Sequence, residues 1–428
     1  MKTTLTIQRL IEQPVSDVGS FELALPRLKE FATVPWKIPF YSTAQSHKAM
    51  PLVAMELNDL NPDRAWSKRK FPGANPFFHH CSFLQYYIAY QEGVAVGRIA
   101  AFVDRSYRDH TVSGDVGWVG LFECIDDDTV GEALLDAATR DLKRAGAVKI
   151  IGPARFNANG EDGLLVEGFD VHPMVMEPYH PPYYARMFER WGVKENDWYA
   201  IRMVEGTAAP YMERLETMRE QGRGLEQRLT AQGIRVRNVR MRDWKLEIAK
   251  IKAIYNAAWD SAVHPQFEQF SEEEFDYLAA GLRTLAIEDL VFIVEDFKQK
   301  GHPAVGIAVT LPDLNEVIDE YDKAHPGYTP SEHVYGVSDF RRDLGLFRLL
   351  RRRVHERRFK YARVFILGTI RKKSGIDAIL YELTYHACLN MGIKEASGSQ
   401  IADSNPEIVI PLTRMGSADM TWRVYRHV

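Results

Sequence analysis

Three cysteines in 428 residues (Cys81, Cys124 and Cys388) are too few and too widely spaced for a disulfide framework or a cysteine-based metal site. Their scarcity fits a reducing compartment. No apolar run approaches the roughly 18 residues that would span a bilayer. The opening MKTTLT lacks the apolar core of a secretory signal. The expected location is therefore cytoplasmic, with contact at most on the inner face of a membrane. Charge of one sign is also missing: 54 basic and 58 acidic residues leave a net charge of −4, so the chain as a whole does not attract nucleic acid and any polyanion must be bound locally. There is no Gly-x-Ser-x-Gly stretch, hence no serine nucleophile elbow. What is present is an ordinary folding composition, 46% hydrophobic and 26% charged, over a length that suits two or three domains.

The order of elements repeats. Residues 86–90 and 94–102 flank Glu92-Gly93 and read as a hairpin. A strand at 116–122, a helix at 129–145 and a strand at 148–151 follow. In the second half, 292–295 with 304–309 form another hairpin, followed by a strand at 364–367 and a helix at 376–390. Between the halves, a charged, helix-favouring run follows Pro210. The reading is an α/β (α+β) protein of two domains, 1–204 and 233–428, joined by a helix over 205–232. Each domain is expected to hold a mixed, mostly antiparallel sheet flanked by helices.

The halves differ in the turn that enters the main helix. In the second half it reads Ile370-Arg371-Lys372-Lys373-Ser374-Gly375-Ile376, a basic, glycine-containing turn at a helix N-terminus. Unpaired N–H groups and the positive end of the helix dipole suit such a turn to phosphate. In the first half the turn is Glu123-Cys124-Ile125-Asp126-Asp127-Asp128-Thr129, whose four carboxylates repel a pyrophosphate. Residues 341–373 also carry thirteen Lys/Arg against Asp343 and Glu356, with Leu346, Phe347, Leu349, Leu350 and Val354 interspersed. A basic amphipathic helix of this kind suits an anionic membrane surface, or else packs on the core with solvated arginines. Stacking aromatics are not interleaved with these cations, so nucleic acid is not the expected partner.

Several stretches together resemble the GNAT acyltransferase fold in tandem, in particular the YghO-like family and the bacterial enzymes that N-acylate sphingoid bases. They are Asn75-Pro76-Phe77-Phe78, Val96-Gly97-Arg98-Ile99-Ala100, residues 152–159, 163–170 and 179–184, Leu311-Pro312-Asp313-Leu314-Asn315, and Gly375-Ile376-Asp377-Ala378. The resemblance covers nearly the whole chain. It implies an N-acyltransferase that moves an acyl group from acyl-CoA, as co-substrate and without a metal, to an amine such as a sphingoid base. It places the CoA pyrophosphate on residues 370–376, with Lys372 and Gly375 at matching positions. Asp377 departs from the pattern by setting a carboxylate at the helix start. The resemblance also puts oxyanion donors near residues 366–370, lets Asn405 help hold the pantetheine, and requires no acyl-enzyme.

For proton transfer and acceptor binding, the densest polar cluster lies in the first half, on a loop rich in glycine and proline. Glu161 and His180 are candidate bases, Tyr179 a candidate acid, and Asn157, Asn159, Tyr183 and Tyr184 candidate acceptor contacts. Glu123, at a strand end, is a further candidate catalytic carboxylate or a helix cap. Each residue singly also suits a turn or a buried aromatic. Two rival readings fit the same residues. One resembles tandem enzymes that transfer aminoacyl groups from aminoacyl-tRNA, with the basic segment on RNA. The other is a non-catalytic acyl-CoA-binding or scaffold protein, kept open by Asp377 and the acidic first-half turn.

Overall fold

The computed structural model describes residues 4–11, 25–42, 52–61, 75–156, 160–218, 220, 224–259, 264–372 and 374–428. The chain forms two compact units. One comprises Met1–Asp197, Ile318–Arg348 and Thr421–Val428, the other Trp198–Val317 and Leu349–Met420.

In the first unit, β1 (Leu5–Arg9), β2 (Cys81–Gln91), β3 (Val94–Asp104) and β4 (Val116–Cys124) run antiparallel to their neighbours. The β2–β3 turn is tight because Glu92 (φ 51°) and Gly93 (φ 81°) are both left-handed, which matches the twist of the hairpin. β5 (Lys149–Gly152) then pairs parallel with β4, as a crossover helix requires. That helix, Asp128–Arg144, starts where the Asp127 carboxylate accepts the Thr129 N–H at 2.9 Å. Its buried Val130, Leu134, Leu135, Ala138 and Leu142 share a core with Tyr87, Ile99 and Phe122, each large side chain contributing about 1.5–3 kcal/mol of apolar burial. Residues 421–427 of β13 (Ser417–His427) lie antiparallel to β5 and to β6 (Leu164–Glu167).

The second unit repeats this plan. Residues 198–204 of β7 (Gly192–Val204) pair with β12 (Glu395–Ala402), which lies parallel to β11 (Tyr361–Thr369). Then follow β10 (Ala304–Pro312), β9 (Val291–Asp296) and β8 (Ile234–Asn238), all antiparallel. The helix Ile376–Asn390 crosses from β11 to β12 and buries Ile376, Ile379 and Leu380 against Val294, Val305 and Ala308. Each unit thus holds a mostly antiparallel sheet with one parallel pair and a crossover helix, the mixed α/β plan expected for two domains. Among the described residues, no helix is long and apolar enough to cross a membrane.

The units do not follow the expected segments 1–204, 205–232 and 233–428. The helices Glu205–Met218 and Leu225–Ala231, read as a connector, belong to the second unit, and Ile318–Arg348 with Thr421–Val428 belong to the first. The physical reason is pairing at long range. Lys29 Nζ is buried 2.9 Å from Asp339, and Trp422 donates its indole N–H to the Pro178 carbonyl at 2.7 Å. Stranding one partner of a buried ion pair costs about 3–5 kcal/mol. A chain ending at Val204 is therefore expected to show no near-UV circular dichroism and no cooperative urea transition, whereas the full chain shows both.

Candidate functional site

In the first unit, the polar site grows out of an irregularity in β4. Arg98 pairs with Glu123, but Ala100 pairs with Gly120, so β4 carries one extra residue at this point. Leu121 takes φ 51° there. Such a bulge reverses which face each later side chain occupies. Val119 before it, and Phe122 and Cys124 after it, all join the same core. Glu123 is thereby turned to the opposite face, where it meets polar groups.

Tyr184 is fully buried; its hydroxyl accepts the Cys124 N–H at 2.7 Å and donates to Glu123 Oε2 at 2.9 Å. Tyr41 also hydrogen-bonds the Glu123 carboxylate. Burial pushes Glu123 up to about 7, against the pull of Arg98 and the two tyrosine hydrogen bonds. The same burial, with Glu123 beside them, raises the Tyr41 and Tyr184 phenols. Arg98 (3% exposed) spans from the Phe31 carbonyl (3.1 Å) to Glu56 Oε1 (3.2 Å). Arg155 holds Glu56 Oε2 at 2.6 Å and Asp59 at 2.7 Å. Burial would raise Glu56, but Arg155 and Arg98 outweigh it and hold the carboxyl below its ordinary value. The outcome is one carboxylate locked in its charged form and a neighbour, Glu123, that exchanges its proton near neutrality.

The other expected residues of this half divide. Tyr183 joins the site, its hydroxyl donating to the Cys124 carbonyl at 2.8 Å. Glu161 lies instead beside Arg155, which donates its backbone N–H to the Glu161 carbonyl at 2.8 Å. The Tyr179 hydroxyl is committed to the Phe169 carbonyl at 2.5 Å, so it is not placed as an acid. His180 corrects a second expectation: its Nδ1 lone pair accepts the Leu165 N–H at 3.2 Å, and burial pushes the ring down to about 4, leaving a neutral, occupied imidazole. Asn157 and Asn159 lie outside the described residues. The acidic turn is neutralised by its own unit: Arg186 pairs with Asp126 and Asp128, and Arg190 with Asp128 and Glu132. No cation of these pairs is left over for a phosphate.

In the second unit, β11 and β12 part. Their pairing ends at Val364 with Gly398, while β11 runs on to Thr369 along β10 and β12 to Ala402 along β7. β11 also bulges, with Phe365 extra between Val364 and Ile366. Between the strands lies an apolar cavity of about 130 Å³, walled by Phe365 and Leu367, by Tyr381, Tyr385 and Cys388 of the crossover helix, and by Ala208, Met212 and Leu412. Among the described residues of the first unit the equivalent strands stay together: beyond the parallel pairs, Ala154 N–H still bonds the Val119 carbonyl at 3.1 Å, and the Ala154 carbonyl fills the space where a Gly120 side chain would stand.

The basic turn lies beside this cavity's crossover helix, and it is more occupied than its sequence implied. Ile370 N–H bonds the Val305 carbonyl (3.1 Å), Arg371 N–H bonds Thr369 Oγ1 (3.1 Å), and Ile376 N–H bonds Ser374 Oγ (3.3 Å). Those three N–H groups are therefore not available to a phosphate, and the Arg371 guanidinium pairs with Asp296. Lys372 is exposed, with Glu407 3.9 Å away, and Gly375 (φ 84°) makes the left-handed entry to the helix. Lys373 lies outside the described residues. Asn405 is buried, its amide 3.3 Å from His264 Nε2, and His264 lines the cavity with Trp259. Trp259 sits over β11, where a side chain on Gly368 would come within 2.6 Å of its ring.

Sequence reasoning missed Tyr41, Glu56, Arg155 and His264. Only Arg98 carried a readable signal, a lone cation inside the apolar run 94–103.

No protein-family model matches the chain. A solved structure similar to it is a tandem GNAT protein from the clavulanic acid biosynthesis pathway, 9% identical, covering 98% of both chains with a TM-score of 0.46. Among curated proteins, the chain is 32% identical over 244 residues to protein YghO of Escherichia coli, covering 57% of this chain and 58% of that protein. It is likewise 32% identical over 248 residues to the bacterial ceramide synthase of Caulobacter vibrioides, covering 58% of this chain and 60% of that protein. The chain thus spans about three-fifths of the length of the curated relatives it matches, YghO and bacterial ceramide synthase.

Proposed function

We propose that this protein is an acyl-CoA-dependent N-acyltransferase whose acceptor is a long-chain amine of the sphingoid-base class. The observation that carries this reading is the parting of β11 and β12 around an apolar cavity beside a basic helix entry. Such a cleft suits a donor with an apolar acyl end and an anionic far end. Lys372 supplies the cation for the phosphates, Gly375 lets the backbone come close, and Ser374 and Asn405 complete the polar rim. Similarity to the bacterial ceramide synthase supports the choice of acceptor.

In the reaction, the neutral amine nitrogen forms the amide bond to the thioester carbonyl, the carbon–sulfur bond breaks, and CoA leaves as thiolate. The amine's proton must pass to a base. Within the first unit, the group suited to hold an ammonium and take its proton is Glu123, steadied by Tyr41 and Tyr184. A long-chain amine partitions into bilayers, so the reading includes a peripheral location at a membrane surface.

Isothermal titration with palmitoyl-CoA is the test. Binding is expected, weakened roughly tenfold by Lys372→Glu, since reversing one charge near an anion is worth on the order of 1–2 kcal/mol at a solvated site. Lys372 is well exposed, so the variant folds normally. An absence of binding, or identical binding by the variant, removes the donor assignment.

A further inference from the structure

The helix Val337–Glu356 has two unlike faces over its first three turns, all within the first unit. One face is pinned. Asp339 (0% exposed) pairs with Lys29 and accepts from the Tyr328 hydroxyl at 2.7 Å and the Ser331 hydroxyl at 2.6 Å. Three residues on, Arg342 makes two bonds to Asp322 (3.0 and 2.7 Å), with its guanidinium over the rings of Trp36 and Tyr328. Leu346, one turn further, is buried. These contacts fix both the position and the rotation of the helix.

The opposite face points to solvent. Val337 is 67% exposed, Phe340 53% and Phe347 45%. Arg341 and Arg348 are exposed beside them, and Leu344 is half-buried. The spacing i, i+3, i+4, i+7, i+10, i+11 places all six on one stripe, about 18 Å long at 1.5 Å per residue. The two carboxylates of this stretch, Asp339 and Asp343, lie off it: the first is buried, and the second takes a hydrogen bond from Tyr335. Two exposed phenylalanines and a valine on one stripe form a contiguous apolar patch, unlike the scattered single residues of an ordinary surface.

We infer that residues 337–348 form a docking face for an anionic bilayer, with Phe340 and Phe347 entering the interface and Arg341 and Arg348 meeting lipid phosphates. The charge decides among occupants. A second copy of this face would bring arginines against arginines, whereas an anionic surface pairs with both cations at once, while the aromatic rings take the level where headgroups meet acyl chains. Of the two sequence readings of this segment, Leu346 and Leu350 follow the one in which the helix packs on the core, since both are buried, and the exposed apolar residues of 337–348 are Val337, Phe340 and Phe347. This docking face stands whatever reaction the chain catalyses.

The test is co-sedimentation of the full chain with phosphatidylcholine vesicles, with and without phosphatidylglycerol. Binding is expected only to the vesicles containing phosphatidylglycerol. R341Q/R348Q is expected to weaken it roughly thirtyfold, since two interfacial cations are worth about 1 kcal/mol each. F340S/F347S is expected to weaken it as well, with both variants keeping the parent's thermal unfolding curve. No binding to the anionic vesicles, or equal binding by parent and both variants, overturns the inference. So does a dimer in light scattering that F340S/F347S converts to monomer, because a second copy would then cover the face.

Discussion

Glu123→Gln is expected to lower acyl transfer roughly 10²–10⁴-fold, the usual contribution of a positioned proton acceptor, while making the protein more stable above pH 7. The two effects share one cause. Burial raises the Glu123 carboxyl from an ordinary 4.5 to about 7. Between those values the folded chain keeps a proton that the unfolded chain has released, so stability falls as pH rises through the window and the loss is complete above 7. Ionised Glu123, the form that can take a proton, accumulates over the upper part of the same range, so activity should rise as stability falls. Glutamine keeps the shape and the tyrosine contacts but removes the titration, flattening both profiles. Rate against pH, with urea unfolding at pH 5 and pH 8, reads out both. A variant that keeps the parent's rate and its rise near pH 7 would show Glu123 to be structural.

Gly120→Ala should give the largest loss of stability. A methyl group at this position would overlap the Ala154 carbonyl oxygen, a backbone atom that no rotamer change can move. Overpacking of this kind costs about 1–3 kcal/mol where side chains yield, and more where only the backbone can. Arg155 follows directly, so the shift also loosens its bonds to Glu56 and Asp59. We expect a destabilisation of about 3 kcal/mol or more by urea unfolding followed through tryptophan fluorescence. Gly206→Ala is the control: its added methyl meets nothing within 4 Å, and it sits in the helix Glu205–Met218, so it should be neutral or slightly stabilising. Equal effects from the two substitutions would contradict the close approach of Ala154 to β4.

Local pattern made most elements legible. The hairpins about Glu92-Gly93, the strands near 116 and 364, and the helix 376–390 all stand where alternation and helical spacing put them. The units were less legible, because Lys29 and Asp339 choose each other across 310 positions and nothing local marks either as a partner. The candidate site was half visible. Glu123, Tyr183 and Tyr184 were readable as a carboxylate and two tyrosines, but the tyrosines open the helix Tyr183–Trp191 instead of lying on a loop, and the left-handed residue of the bulge that aims Glu123 is Leu121, not its neighbour Gly120. His180 shows the converse: the residue type suggests a base, and only its bond from Leu165 N–H shows that the lone pair is spent. In the basic turn the charges were legible, whereas the internal bonding of its N–H groups was not.

The discontinuous first unit also constrains how the chain is made. Lys29 leaves the ribosome 310 residues before Asp339. At roughly 5–20 residues per second, that interval lasts on the order of 15–60 s. The β5 edge waits longer still for residues 421–427. Over that interval the first unit exists only as an unfinished core, with an open strand edge and an ammonium group awaiting its counter-charge. The first unit is therefore expected to close its sheet only once residues 421–427 have been made, and until then the β5 edge is an unpaired strand edge open to mispairing.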